Sequence, residues 1–148
     1  MSSKTPVDYI EIRALAHATE DPEKVLTALR NILPLDTTET IVFAKSGLSG
    51  YYRNPITLFE TRIKDRKLAQ AAFEKLAAGL GVLDKELLGN ELMQHLERGN
   101  LYLRLDKQSA YLGKIKLGQT DPIHFRIHFK KHTTEEVTAI CQQYRLIP

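Results

Sequence analysis

Residues 123–130 alternate apolar side chains with basic or titratable ones. In this segment, IHFRIHFK, every odd position is Ile or Phe and every even position is His, Arg or Lys. Successive side chains of a β-strand point to opposite faces, so the pattern predicts a strand with one face for a core and one for an anion. A basic face of this kind suits a phosphate backbone, and we therefore predict RNA or DNA as its ligand.

Two further segments show the same alternation. Residues 101–106 read LYLRLD and residues 114–117 read KIKL. If the three segments pair, their outward positions form a sheet face of Tyr, Arg, Lys and His over an underside of Leu, Ile and Phe. The alternative interpretation is a solvated sheet face with incidental charge.

Basic residues are concentrated in two blocks of the chain. Residues 45–67 contain six Lys and Arg against two Asp and Glu, and residues 98–131 contain eight against two. The stretches with helical periodicity are acidic or balanced. The net charge of +3 therefore understates the positive charge of the predicted strands and loops.

The candidate RNA-binding residues come from these two blocks, including a glycine-punctuated loop over residues 47–55. They are Tyr51, Tyr52, Arg53, Arg62, Lys64, Tyr102, Arg104, Lys107, Lys114, Lys116, His124, Arg126, His128 and Lys130. The cations would contact phosphates, with counterion release supplying affinity, and arginine can also bind a phosphate through two donors. The tyrosine rings would stack on unpaired bases, although those of the loop could instead anchor it to the rest of the protein.

Periodicity and capping residues predict the elements that position these side chains. The strands are expected over residues 9–17, 40–45, 56–64, 101–106, 114–117 and 123–130. Helices are expected between Asp21 and Pro34, from Asp65 to the GLG sequence at 79–81, over 84–97, and from Thr133 onward. The third helix could be two short pieces broken near Gly89, and residues 106–109 are expected to form a turn.

The order of these elements favours an α+β fold. We predict one domain over residues 1–148, with a mostly antiparallel sheet whose apolar face is covered by helices. A chain of 148 residues, 43% of them hydrophobic and 26% charged, is typical of a globular protein. No apolar run approaches the roughly 20 residues of a spanning helix, and residues 1–7 do not resemble a secretion signal.

The single cysteine, Cys141, cannot form an internal disulfide. This is typical of a reducing cytoplasm, where we expect the protein. Cys141 shares a helical spacing with Val137, Ile140 and Tyr144, which predicts a buried, inert thiol rather than a nucleophile.

Histidines raise the question of a metal site. His124 and His128 are four residues apart on one strand, about 13 Å at roughly 3.3 Å per residue, which is too far to share one zinc ion. A site would need His17, His95 or His132 beside one of them, so we predict no metal and no cofactor. Protonation of His124 and His128 below their usual pKa of about 6.5 is instead expected to tighten anion binding.

A second hypothesis is a metal-dependent nuclease. Such an enzyme needs converging carboxylates or a poised base, and the basic blocks contain only Glu60, Asp65, Asp106 and Asp121. The chain has no phosphate-cradling glycine motif and no paired carboxylates on one element. We therefore predict a protein that is not an enzyme.

A third hypothesis is a docking role, in which the protein binds a protein partner or pairs as a homodimer. An exposed apolar patch would indicate such a role. The residues in question are Leu83, Leu87, Leu88, Leu92 and Leu96, and sequence alone does not say which of them stays uncovered.

Two motifs resemble a known family. The motifs are YYRNPI at 51–56, leading into a strand, and NLYLRLDKQ at 100–108 followed by AYLG at 110–113. With the order of elements over nearly the whole chain, they resemble the archaeal RNA-binding domain proteins predicted to be associated with the exosome. The resemblance implies an α+β fold similar to the ribosomal protein that binds 5S rRNA, RNA as the partner, RNA-processing proteins such as the exosome nearby, and an archaeal cytoplasm.

Overall fold

A computed structural model describes residues 5–35, 37, 39–49 and 54–148, with Ser49 described by its backbone alone. Within these residues the strands are β1 (Val7–Ala16), β2 (Ala44–Ser49), β3 (Pro55–Ile63), β4 (Leu96–Glu97), β5 (Asn100–Leu105) and β6 (Ile123–Phe129). The helices within them are α1 (Pro22–Asn31), α2 (Arg66–Gly79), α3 (Val82–His95), α4 (Lys107–Tyr111) and α5 (Thr134–Gln143).

All strands pair antiparallel in one sheet, in the order β2, β3, β1, β6, β5, β4. The alternation in β6 is confirmed, since Ile123, Phe125, Ile127 and Phe129 are fully buried. Helices cover this buried side, where Phe73 of α2 meets the Phe129 ring edge-on with centroids 5.5 Å apart. The predicted α+β fold with a mostly antiparallel sheet is therefore confirmed.

The helix starts follow the predicted capping residues. The Asp21 carboxylate accepts a hydrogen bond from the Glu23 amide at 2.9 Å, and the Asp65 carboxylate accepts from the Lys67 amide at 2.9 Å. Thr133 accepts from the Glu136 amide at 3.2 Å and donates to its carboxylate at 2.8 Å. Each cap satisfies amides that the first helical turn leaves unpaired.

Cys141 is fully buried in the core. Burial raises the pKa of its thiol to about 12, so the thiol is protonated at neutral pH. The prediction of a buried cysteine is confirmed, and a protonated, buried thiol is a poor nucleophile.

The second strand is shifted from its predicted position. β2 begins at Ala44 rather than residue 40, and it includes Gly47 and Leu48, which were expected in a loop. Pairing with β3 sets these bounds, because Gly47 lies opposite Thr57 and the last pair is Ser49 with Pro55.

Residues 114–117 do not form the predicted strand. A single bridge joins Leu117 to Leu105, because α4 and Gly113, at φ +81°, turn the chain away from the sheet edge. Ile115 packs instead on the end of α2, where a Cβ on Gly79 would lie 2.7 Å from the Ile115 Cδ1 atom. Residues 107–111, part of which was expected to be a turn, are the short helix α4.

The third helix is continuous through Gly89. A Cβ added at this position would lie 3.3 Å from Cδ of Pro148. The glycine therefore permits close approach of the C-terminal segment and does not break the helix, contrary to the alternative of two short pieces.

Candidate nucleic-acid interface

The outward side chains of β3, β1, β6 and β5 lie in two cross-strand rows. The register places Arg62, Glu11, Arg126 and Tyr102 in the first row, and Glu60, Arg13, His124 and Arg104 in the second. Opposed residues on one face of an antiparallel pair have Cβ atoms about 5 Å apart. The sheet therefore brings together four arginines that are far apart in sequence.

These rows line a concave surface, the sheet-face trough, with a cavity of about 680 Å³. The basic and aromatic residues that line it are Arg13, Arg62, Tyr102, Arg104, His124 and Arg126. Glu11 and Glu60 also line the trough. Four arginines against two glutamates give the trough a positive charge before any histidine is protonated.

The first row contains an ion-pair clamp centred on Glu11. Its carboxylate is 3.2 Å from Arg62 and also pairs with Arg126. The Arg62 guanidinium lies over the Tyr9 ring, 4.8 Å from its centroid, and Arg126 is 3.4 Å from the Tyr9 hydroxyl oxygen. Glu11 and Tyr9 thus hold two guanidiniums in fixed positions, and a phosphate must compete with the Glu11 carboxylate for them.

In the second row, carboxylates compete less with a phosphate for the arginines than they do in the first row. Arg13 and Arg104 make no ion pair with another described residue, and both are exposed. Glu60 faces Arg13 in the register. These two arginines could bind a phosphate without first releasing a carboxylate.

Two histidines extend the basic face. Burial and the positive charges of Arg13 and Arg104 lower the pKa of His124 below its usual 6.5, and Asp121 partly opposes this. Burial is also the main cause that lowers the pKa of His128, whose ring stacks on Tyr9 with centroids 4.6 Å apart. Both imidazoles are therefore neutral near pH 7, and their charge enters at a more acidic pH than the sequence alone predicts.

Tyr102 offers an aromatic surface at the β5 side of the trough. It is 41% exposed and lies next to Arg126 in the register. A partly exposed ring beside a guanidinium can stack on a base while the cation contacts the adjacent phosphate.

Lys107 lies away from the trough. Its side chain is 12% exposed, and the ammonium contacts Glu20 at 3.0 Å and Asp121 at 2.5 Å. It also donates to the Leu15 carbonyl at 2.8 Å. This cation joins the end of β1 to the start of α4, so its position is that of a structural ion pair rather than a surface contact.

The two carboxylates that contact Lys107 belong to a group whose side-chain atoms are close enough together to hold a metal ion. Ligand atoms of His17, Glu20 and Asp121 all lie within 4.8 Å of one another, the one such group among the described residues. His17 is 3.0 Å from Asp121. Because the Lys107 ammonium already neutralises both carboxylates, the arrangement is better suited to an internal ion-pair network than to a metal.

The remaining predicted contacts are dispersed. Lys64 and Lys130 follow the ends of β3 and β6, whereas Lys114 and Lys116 lie beside α2 and the start of α3. The structure does not bring this second pair together with the arginines. The predicted loop contacts Tyr51, Tyr52 and Arg53 lie outside the described residues.

A family model described as RNA binding matches residues 9–129. The chain belongs to this RNA-binding family. The match covers every strand of the sheet except the first two residues of β1, and it confirms the resemblance found in the sequence motifs.

Relatives of this RNA-binding family member cover nearly its full length. RNA-binding protein PAB1135 of Pyrococcus abyssi is 37% identical over 133 residues, which cover 88% of this chain and 86% of that protein. Protein MJ0213 of Methanocaldococcus jannaschii is 31% identical, covering 90% and 95%. The structure of Mth689, a DUF54 protein from Methanothermobacter thermautotrophicus, superposes with a TM-score of 0.75 and 28% identity, covering 97% of this chain and 99% of that one. All three organisms are archaea, in agreement with the resemblance.

Sequence reasoning missed three charged residues of the trough. Glu11, Arg13 and Glu60 are on the polar sides of predicted strands, but their segments were not joined to the basic block near the C-terminus. The missing information was that β1 lies at the centre of the sheet, between β3 and β6.

In the part of the chain that the structure describes, no helix is both long and apolar enough to cross a membrane.

Proposed function

We propose that this member of the RNA-binding family binds RNA through the sheet-face trough and catalyses no reaction on it. The observation that supports this most directly is the set of four arginines in two adjacent rows of one concave face. Arginines in fixed positions bind phosphates through two parallel hydrogen bonds, and they release counterions when they do so.

Arg13 and Arg104 make the first phosphate contacts in this proposal, since neither pairs with a carboxylate among the described residues. Arg62 and Arg126 then exchange part of their contact with Glu11 for a phosphate. Tyr102 stacks on a base, which requires the base to be unpaired. Tyr51, Tyr52 and Arg53, which lie between β2 and β3 in the sequence, are proposed to add base and phosphate contacts.

The absence of catalysis is inferred from the surroundings of the carboxylates. Glu11 is held by two guanidiniums, whose positive charges would oppose a Mg²⁺ ion at the same oxygens. Glu60 belongs to the other row and faces Arg13. Of the two carboxylates among the described lining residues only Glu60 makes no ion pair, so the trough does not offer the pair of free carboxylates that a metal-dependent nuclease needs.

The cellular setting of the proposal is an archaeal cytoplasm, in RNA processing and in contact with the exosome. It rests on the family resemblance, as does the similarity to the ribosomal protein that binds 5S rRNA. We further propose that residues 1–148 act as one domain, alone or as a homodimer. Copurification with exosome subunits, retained or lost after ribonuclease treatment, would test whether that association runs through RNA.

The test of the trough is a fluorescence-anisotropy titration of labelled single-stranded and hairpin RNA over a salt series. We expect Arg13→Ala/Arg104→Ala to bind more weakly and to reduce the slope of log K against log salt by about 1.4–1.8, at about 0.7–0.9 for each lost phosphate contact. Lys24→Ala/Lys85→Ala removes the same charge from α1 and α3 and serves as the matched control. Equal slopes for the two variants, with circular dichroism showing both folded, would contradict the proposal.

A further inference from the structure

A second cavity lies on the helical side of the molecule. This groove, of about 730 Å³, is bounded by the end of α2, the start of α3 and the strap of residues 113–116. It shares no lining residue with the sheet-face trough. Its residues are therefore free to have a function separate from that of the arginine rows.

Two contacts and one backbone turn fix the position of the strap. Ile115 is buried against Gly79 of α2. This packing is possible because glycine has no Cβ atom. The Leu117 amide donates to the Asp84 carboxylate of α3 at 3.0 Å, and Gly113 takes the positive φ at the start of the strap. The groove is preformed, which reduces the entropic cost of binding.

Aliphatic side chains project at one wall of the groove. Val82 and Leu83, the first two residues of α3, are 72% and 79% exposed. Of the five leucines considered for docking in the sequence, Leu83 is the most exposed, whereas Leu88 and Leu92 are buried. Exposed apolar residues that adjoin one another at a concave surface are a feature of protein-binding sites.

The opposite wall is cationic. Lys114 and Lys116 flank the buried Ile115, are exposed, and pair with no carboxylate among the described residues. The third cation that lines the groove, Lys75, is engaged, since its ammonium donates to the Leu33 carbonyl at 2.6 Å. The Asp84 carboxylate accepts a hydrogen bond from the Leu117 amide, and its negative charge offsets the positive charge of Lys75. The two outward lysines therefore leave the groove with a net positive charge.

We propose that the groove is a docking site for an acidic, aliphatic segment of a partner protein. Carboxylates of that segment would meet Lys114 and Lys116, and its Leu, Ile or Val side chains would cover Val82 and Leu83. RNA is disfavoured as the occupant because no arginine or aromatic ring is among the lining residues that the structure describes, and those are the groups that read phosphates and bases best. The proposal does not depend on RNA binding at the trough.

The experiment titrates the full chain into fluorescein-labelled 12-residue peptides in which Asp or Glu alternates with Leu, Ile or Val. Peptides with Lys in place of the acidic residues are the charge-reversed controls. We expect the acidic peptides to bind at least tenfold more tightly than the basic ones. Lys114→Glu/Lys116→Glu should reduce acidic-peptide affinity at least tenfold, and Val82→Ser/Leu83→Ser should reduce it with little change in salt dependence, because it removes apolar area and no charge.

Matched arginine variants separate the two surfaces. Arg13→Ala/Arg104→Ala should leave peptide affinity unchanged within about twofold, and Val82→Ser/Leu83→Ser should leave RNA affinity unchanged to the same extent. Lys114→Glu/Lys116→Glu should weaken RNA binding less than Arg13→Ala/Arg104→Ala does, because it changes the net charge of the protein but removes no contact of the trough. The proposal is wrong if no acidic peptide of the set binds better than its basic counterpart, or if folded groove variants bind the peptides as the native protein does. It is also wrong if the groove variants weaken RNA binding as much as the arginine variant, since the groove would then belong to the RNA surface.

Discussion

Replacing Glu11 with Gln is predicted to strengthen RNA binding and to lower the free energy of unfolding of the RNA-free protein. The side chain of Glu11 is 33% exposed, and its carboxylate pairs with both Arg62 and Arg126. Gln keeps the size of the side chain but loses the negative charge. The two guanidiniums then meet a phosphate without competition from a carboxylate, and the repulsion between Glu11 and the RNA backbone disappears.

The magnitude follows from the exposure of the clamp. Partly exposed ion pairs contribute about 0.2–1 kcal/mol each, so the loss of two should lower the free energy of unfolding by about 1 kcal/mol and the melting temperature by roughly 2–4 °C. Release of the same interactions, with loss of one anion from the trough, should raise RNA affinity by about 1–1.5 kcal/mol, roughly five- to tenfold. Stability and affinity thus change in opposite directions.

Anisotropy titration of a single-stranded RNA and thermal unfolding followed by circular dichroism measure the two quantities. The control is Glu60→Gln, which removes the same charge from the same face but breaks no ion pair of the clamp. It should raise affinity less and leave the melting temperature unchanged. Weaker RNA binding by Glu11→Gln, or a gain no larger than that of Glu60→Gln, would refute the idea that Glu11 competes with phosphate.

The other predictions concern pH, stacking and one internal ion pair. RNA affinity of the folded protein should rise as pH falls below 6.5. The reason is that a bound phosphate raises the lowered pKa of His124, so that binding takes up a proton. His124→Gln should flatten the profile of affinity against pH measured from pH 7.5 to 5. Tyr102→Ala should weaken binding of single-stranded RNA by about 1–3 kcal/mol, roughly 5- to 150-fold, whereas Tyr102→Phe should bind as the native protein does; equal losses for both would point to the hydroxyl group instead. Lys107→Met should lower the free energy of unfolding, measured by urea denaturation, by about 3 kcal/mol, because Glu20 and Asp121 lose their shared cation. RNA affinity should be unchanged. A large loss of affinity in the folded variant would show that Lys107 contacts RNA.

Local chemistry made much of the fold predictable. The alternation in β6 and the capping residues Asp21, Asp65 and Thr133 depend on interactions within a few residues, and all of these predictions are confirmed. Residues 114–117 alternate as a strand does, yet they form a strap. Besides α4 and Gly113, their position depends on Gly79, 36 positions earlier in the chain, which leaves room for Ile115, and no local pattern contains that contact.

The sequence predicted that the candidate site is a basic sheet face, but it did not identify all of the residues on that face. Arg104, His124 and Arg126 were found because they share one basic block, and the sheet places them side by side. Arg13 was missed because its block is acidic overall, although β1 contributes it to the same row as His124. Sheet order decides which strands share a face, and strand order is not encoded in the periodicity of any single strand.

The trough is lined by arginines and the groove by lysines, and the chemistry of the two side chains fits the two proposed ligands. Arginines occupy the trough, where a planar guanidinium can be held by Glu11 and Tyr9 and still present two donors to a phosphate. Lysines occupy the groove, where Lys114 and Lys116 stand beside exposed aliphatic residues and a strongly hydrated ammonium favours carboxylates at a wet rim. In our proposal both surfaces are positively charged but bind different ligands, because only a protein segment can bring apolar side chains to Val82 and Leu83.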